Sequence, residues 1–165
     1  MRKDSCTVMY IIRVTPENIE EGLEVIWEVF QEFVAPDYTQ DGIDCFYSEF
    51  IKGEKFRKKF ADGTEVMYGA YVDGELAGVL SISDLNTVSC VFVKGKYHRM
   101  GIGRKLFDIV IKELKETDAA EIKLNASPYA VPFYHAMGFH DTGAESSYKG
   151  IVYIPMKLVL DKENT

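Results

Sequence analysis

Residues 91–104 read Val91-Phe92-Val93-Lys94-Gly95-Lys96-Tyr97-His98-Arg99-Met100-Gly101-Ile102-Gly103-Arg104. An apolar β-type run enters a short basic loop, and two glycines follow at G-x-G spacing. Ile102, Leu106, Ile109, Val110 and Leu114 then recur at helical spacing. A strand that turns on glycine into a helix start is an anion-binding device. Glycine lets the backbone approach a ligand without a Cβ clash. The first-turn N–H groups have no intrahelical partner, and the helix dipole adds about half a positive charge there. The run therefore predicts a site for a phosphorylated cofactor.

Two familiar phosphate loops do not fit. A dinucleotide fingerprint needs G-x-G-x-x-G at the first βα turn, but its third glycine falls on Leu106 and the run lies past the middle of the chain. A P-loop needs Gly-Lys-Ser/Thr after four spacer residues, and the chain has none.

A second segment, residues 122–139, narrows the choice. Ile122 and Leu124 alternate as a strand. Ser127-Pro128 is a helix start with Ser at the N-cap and Pro at N1, and Gly138 is a C′ stop. Phe133 and Tyr134 fall in the later half of this short helix. Pro132 falls within its first turn, where its missing N–H costs nothing.

The two segments together resemble the acetyl-CoA-binding signature of the GNAT superfamily, the general-control-type N-acetyltransferases. Residues 98–103 are similar to its Q/R-x-x-G-x-G/A motif, with His98 where Gln or Arg is usual. Residues 122–139 are similar to its strand–helix segment ending in aromatic-Tyr-x-x-x-Gly-Phe, with Ser127 where many members carry Asn. The likeness covers roughly residues 65–157 and is an outline only in the N-terminal third.

The resemblance implies acetyl-CoA as cosubstrate, held by Val91, Val93, His98, Arg99, Met100, Gly101, Ile102, Gly103, Arg104 and Ser127. The Val91 N–H is implied as oxyanion donor, and Val93 as the residue that pairs the pantetheine arm like an added strand. Tyr134 is implied as general acid to the departing thiolate. A phenol near ~10 can donate to a thiolate of comparable basicity. Ser127 has two readings, a helix cap or a ligand of the pantetheine arm. Lys94, Lys96, Arg99, Arg104 and Lys105 surround the loop in an acidic chain and suit the phosphates of CoA, or form a solvated basic face.

Composition fits a soluble enzyme. The 165 residues suit a single domain, 1–165, with a sizeable core. No run approaches the ~20 apolar residues of a membrane span, and Met1–Cys6 lacks a signal-peptide core. Cys6, Cys45 and Cys90 form no C-x-x-C pair, which predicts reduced cytoplasmic thiols and no metal site. The net charge of -7 argues against nucleic acid and would suit a cationic acceptor. The expected partner is a small-molecule or peptide amine, with no membrane and either a monomer or a homodimer.

Strands are expected at Thr7–Val14, Glu65–Val72, Glu75–Ser83, Asn86–Val93 and Ala119–Ala126, with a hairpin over Ser146–Leu160. Asp73-Gly74 and Lys149-Gly150 mark the hairpin turns. A helix starts at Thr15-Pro16 with the face Ile19, Leu23, Ile26, Trp27, Phe30 and Phe33, and it ends at Pro36. Short helices follow over 39–61, and another covers Arg104–Thr117. Helices and strands interleave, yet the tight turns mark hairpins. The expected fold is α/β with a central mixed, mostly antiparallel sheet of six to seven strands flanked by helices.

Acetyl transfer requires a neutral amine, and a free alkyl amine titrates near ~10.4, so a base or a water path must take its proton. Asp84 is the candidate base from the sequence, with Glu32, Asp37 and Tyr47 behind it. Residues 16–61 are expected to form the acceptor wall, with Phe46, Tyr47 and Phe50 facing it. The alternatives are an acyl-CoA sensor of the same fold without turnover and a nucleotide-binding regulator using only the glycine loop.

Overall fold

The computed structural model describes residues 7–161; Cys6 and the rest of the first six residues lie outside the described residues. The strands are β1 (Met9–Val14), β2 (Glu65–Val72), β3 (Glu75–Ser83), β4 (Thr87–Val93), β5 (Glu121–Ala126), β6 (His140–Asp141), β7 (Ser146–Tyr148) and β8 (Ile151–Val159). The α-helices are α1 (Ile19–Val29), α2 (Gln40–Phe46), α3 (Glu54–Asp62), α4 (Ile102–Lys115) and α5 (Val131–Met137). The sheet has eight strands, one more than expected. The extra one, β6, is two exposed polar residues against β8 and carries no alternation to read.

The order is β1-β2-β3-β4-β5-β8-β6, with β7 folded back on β8. Every pairing is antiparallel except β4 with β5. The hairpin turns are of the two-residue kind with positive φ at both positions: Asp73 at 50° and Gly74 at 88°, Lys149 at 52° and Gly150 at 85°.

Side chains alternate between two cores. Tyr68, Ala70, Leu80, Ile82 and Val88 face α4, whose Ile102, Leu106, Phe107 and Val110 are buried against them. Met67, Val79, Cys90 and partly buried Phe92 face α1, whose Leu23, Val25, Ile26 and Val29 are buried. Burying one such aliphatic side chain contributes about 1.5–3 kcal/mol.

Past Val29 the helix widens into one π turn, Phe30–Val34, and then a 3-10 turn, Ala35–Asp37. A second π turn covers Tyr47–Ile51 after α2. Such turns shift the helical face, as often happens beside functional sites. The start of α2 docks on the β7–β8 turn: a Cβ on Gly42 would lie 2.2 Å from the Gly150 carbonyl oxygen. Thr39 caps α2, its Oγ1 accepting from the Gly42 N–H at 3.1 Å. Among the described residues no helix is long and apolar enough to cross a membrane.

Candidate active site

The parallel pairing of β4 with β5 lasts only two residues, Thr87↔Lys123 and Val88↔Leu124. Beyond it β5 stays with β8, pairing Asn125 with Pro155 and Ala126 with Ile154, while β4 stays with β3. The sheet therefore splits between β4 and β5. Lys94 N–H donates to the Ala77 carbonyl across β3. Since backbone groups alternate along a strand, the N–H groups of Val91 and Val93 point the other way, into the split.

A β-bulge precedes them. Ser81 pairs with Cys90, yet Ile82 pairs with Val88, so Ser89 is the extra residue. A bulge turns consecutive side chains to one side. Val88 faces α4, whereas Cys90 faces α1.

A cavity of about 650 Å³ passes through this split. Its α1 side is lined by Val29, Phe30, Phe33, Val34, Tyr38, Phe46 and Phe92. Its α4 side reaches Ile102, Gly103, Arg104, Ser127, Phe133 and Tyr134. Ser89, Cys90, Val91 and Val93 form its middle.

At the α4 end, Arg99 and Gly101 hold φ of 71° and 75°. Positive φ is costly for arginine, about 1–2 kcal/mol, and alternating left-handed residues turn successive N–H groups inward as an anion nest. A Cβ on Gly101 would meet nothing within 4 Å, so the cradle is open. The residues present fit a phosphorylated ligand with an extended arm: an open helix start and, in line with it, strand N–H groups that have no ladder partner among the described residues. Gly103 differs from expectation. A Cβ there lies 3.0 Å from Phe133 Cζ, so a side chain at this position meets the α5 ring before any ligand.

His98 replaces the usual residue with a specific bond. Its Nε2 donates to the Val93 carbonyl at 2.8 Å, which fixes the proton on that nitrogen. Its ring packs on Phe33 at 4.8 Å. Ser127 makes no side-chain cap bond to its helix turn, so its hydroxyl is left to the cavity. Met100 is exposed and outside the lining, so only its backbone belongs to the loop.

The basic cluster divides. Arg99 and Arg104 line the cavity and Lys105 does not. Lys94 and Lys96 bond Glu75 at 3.1 and 3.0 Å, beside the Tyr97 hydroxyl at 2.6 Å. These bonds, Tyr97's first, then Lys96's and Lys94's, hold the Glu75 carboxyl down to about 2. They tether the Gly95–Tyr97 turn to β3. A carboxyl depressed on folding stabilises the fold above its unfolded value of 4.5 and loses this as pH falls toward about 2. Glu75→Gln is therefore expected to lower the melting temperature by a constant amount above pH ~5 and by progressively less below it, which calorimetry at stepped pH checks.

Tyr134 is buried at 6% exposure among Phe107, Phe133 and Phe139. Among the described residues its hydroxyl has no hydrogen-bond partner. Burial, then the neighbouring Cys90, pushes its pKa well above the ordinary phenol value. Burial likewise pushes Cys90 up to about 12 and Tyr38 up to about 12.

The structure does not bring the expected bases to the cavity. Asp84 lies exposed in the β3–β4 turn, its N–H bonded to the Thr64 carbonyl. Glu32, Asp37 and Tyr47 are not in the lining either. Tyr47 packs on Trp27, and Phe50 on Phe46 and Phe56, both away from the cavity. Of the three aromatics expected on the acceptor wall, Phe46 alone lines it. Phe30, Phe33 and Tyr38, brought in by the π and 3-10 turns, supply the rest.

Residues 34–160 match the family described as the acetyltransferase (GNAT) domain. The chain belongs to the GNAT acetyltransferases. It is 31% identical over 88 residues to the uncharacterized N-acetyltransferase YitH of Bacillus subtilis, a match covering 53% of this chain and 30% of that protein. Its fold is that of the PaiA N-acetyltransferase of Thermoplasma acidophilum, solved in complex with coenzyme A. The TM-score is 0.77 at 20% identity, over 92% of this chain and 99% of that one. A GCN5-related N-acetyltransferase from Rhodopseudomonas palustris aligns with TM-score 0.80 at 18% identity, over 94% and 100%.

Proposed function

We propose that the chain transfers the acetyl group of acetyl-CoA directly to a primary amine of a small molecule or peptide. The observation that carries this reading is the cavity through the β4–β5 split, with an anion cradle at one end and an aromatic chamber at the other. Acetyl-CoA supplies the thioester carbonyl that the amine attacks. The N–H groups of residues 99–104, with Arg99 and Arg104, hold its pyrophosphate. The Val93 N–H pairs the pantetheine arm, while its carbonyl stays with His98. The Val91 N–H stabilises the oxyanion, a contribution of roughly 3 kcal/mol for such a donor. Tyr134 protonates the thiolate.

The acceptor enters from the α1 side, where Phe30, Phe33, Tyr38, Phe46 and Phe92 favour an amine with an apolar body. A transfer assay over alkylamines, arylamines, polyamines, amino acids and peptides tests the reading. Phe33→Ala is expected to raise KM for apolar amines about tenfold, a loss of about 1.4 kcal/mol, with CoA affinity changed far less. CoA binding by calorimetry without transfer to any amine in the panel would favour the sensor reading instead.

A further inference from the structure

Among the described residues no aspartate or glutamate lines the cavity. One acid nevertheless lies just behind it. Glu65 opens β2 on the same face as Met67, the face that Ser81 and Cys90 share. It is 1% exposed, and both its carboxyl oxygens lack a hydrogen-bond partner within bonding geometry, as does the Ser81 hydroxyl. A buried carboxyl without partners is costly and calls for an explanation.

The bulge in β4 supplies one. It leaves Ser89 as the extra residue beside Cys90, lining the cavity and near enough to Glu65 to hold the carboxyl's pKa down against burial. Ser89 is two residues from Val91, whose N–H points into the split. The hydroxyl thus stands between the acid and the place where an amine would meet the thioester.

We propose that Glu65 is the proton acceptor for the incoming ammonium, reached through the Ser89 hydroxyl. The assignment rests on the transfer reading above. The ammonium gives a proton to Ser89 Oγ as the Ser89 proton passes to the Glu65 carboxylate. The freed lone pair forms the C–N bond, and the C–S bond breaks. The second nitrogen proton leaves with the thiolate through Tyr134, and the proton on Glu65 returns to solvent by the same route.

The groups around the carboxyl are consistent with this role. Burial raises its pKa above the ordinary carboxylate value, Ser89 and Ser81 oppose that rise, Lys59 of α3 lowers it and Asp84 raises it. Cys90, pushed up to about 12, keeps its proton and does not compete. His98 spends Nε2 on Val93, four residues along β4 from Ser89, about 13 Å at strand rise.

An arylamine is already neutral at pH 7 and needs no such acceptor, which gives the test. In Glu65→Gln, kcat/KM for an alkylamine is expected to fall by about 10²–10⁴ and for an aniline by less than about threefold. Ser89→Ala is expected to show the same split. An equal fall for both amines places Glu65 in the architecture of the sheet and overturns the assignment. So does an alkylamine rate within about threefold of wild type.

A wild type that acetylates the aniline but no alkylamine also overturns it. A wild type that acetylates neither removes the transfer reading and this assignment together. A second readout needs no turnover. The infrared band of a protonated buried carboxyl, followed against pH in the ligand-free protein, is expected to vanish in Glu65→Gln and to shift its midpoint upward in Ser89→Ala. An unmoved midpoint shows that the hydroxyl does not reach the acid and overturns the relay.

Discussion

Tyr134→Phe is expected to lower kcat by about 10²–10⁴, the range for loss of a general acid, with CoA affinity unchanged within about twofold. The structure separates this outcome from loss of packing. The ring of Tyr134 is held by Phe107, Phe133 and Phe139, contacts that phenylalanine keeps. Its hydroxyl has no bond to lose among the described residues. Removing an unpartnered buried hydroxyl leaves stability unchanged or slightly raised.

In the proposed transfer a phenol raised by burial remains a competent donor, because the leaving group departs against the same buried ring. Burial that raises the phenol also raises a thiolate departing beside it, so the two stay matched in basicity. A melting temperature at or above wild type, together with kcat reduced a hundredfold or more, is the expected pair of measurements. A kcat within about tenfold of wild type assigns the protonation to solvent and removes Tyr134 from the mechanism.

Gly101→Val is expected to abolish measurable CoA binding in calorimetry, a loss above about a hundredfold or 2.7 kcal/mol. Gly101 holds φ at 75° at the N-cap of α4, where a β-branched residue is strained by more than the 1–2 kcal/mol typical of L-residues. The space around a Cβ is open, so the variant has no clash to unfold it. The strain relaxes only by turning the peptide, which takes N–H groups out of the cradle. Gly103→Ala is the control. Its Cβ presses on the Phe133 ring and tests how α4 packs on α5, so a modest loss of stability is expected there. Wild-type CoA affinity in Gly101→Val would place the phosphate site elsewhere.

Much of this architecture was legible in the sequence for local reasons. Asp73-Gly74 and Lys149-Gly150 sit where positive φ is needed at two successive residues, so both hairpins could be placed. The apolar spacing of α4 gave its buried face, and the helix starts at Ile102, two residues before the expected Arg104. The cradle was legible because glycine marks backbone shape directly.

The aromatic end of the cavity was misread in part. A periodicity of 3.6 assigns Tyr47 and Phe50 to the face of Phe46, but the helix changes to a π turn at Tyr47 and the face rotates away. Phe30 and Phe33 enter the chamber through a π turn that has no compositional mark, and Tyr38 follows the 3-10 turn at Pro36, which marks the helix end but not where the next side chain goes. The candidate bases in the sequence were Asp84 in the turn before β4 and Glu32, Asp37 and Tyr47 in the N-terminal helices. Glu65 escaped because its proximity to Ser89 depends on strand register and a bulge, neither of which is written in either strand alone. Its one local mark was an acid at the start of a strand that is otherwise apolar.

The two-residue overlap between β4 and β5 bears on how the molecule holds together. Strands β1 to β4 and β5 to β8 are two halves of one sheet, joined among the described residues by the pairs Thr87↔Lys123 and Val88↔Leu124. Each half has its own ladder, so the seam is the line along which cooperativity is weakest. A molecule seated there bonds to both halves at once and adds rungs that the chain lacks. The core that β2, β3, β5 and β8 share against α4 holds the halves together from one face, and occupancy of the seam would add a tie along the line where the ladder is thinnest.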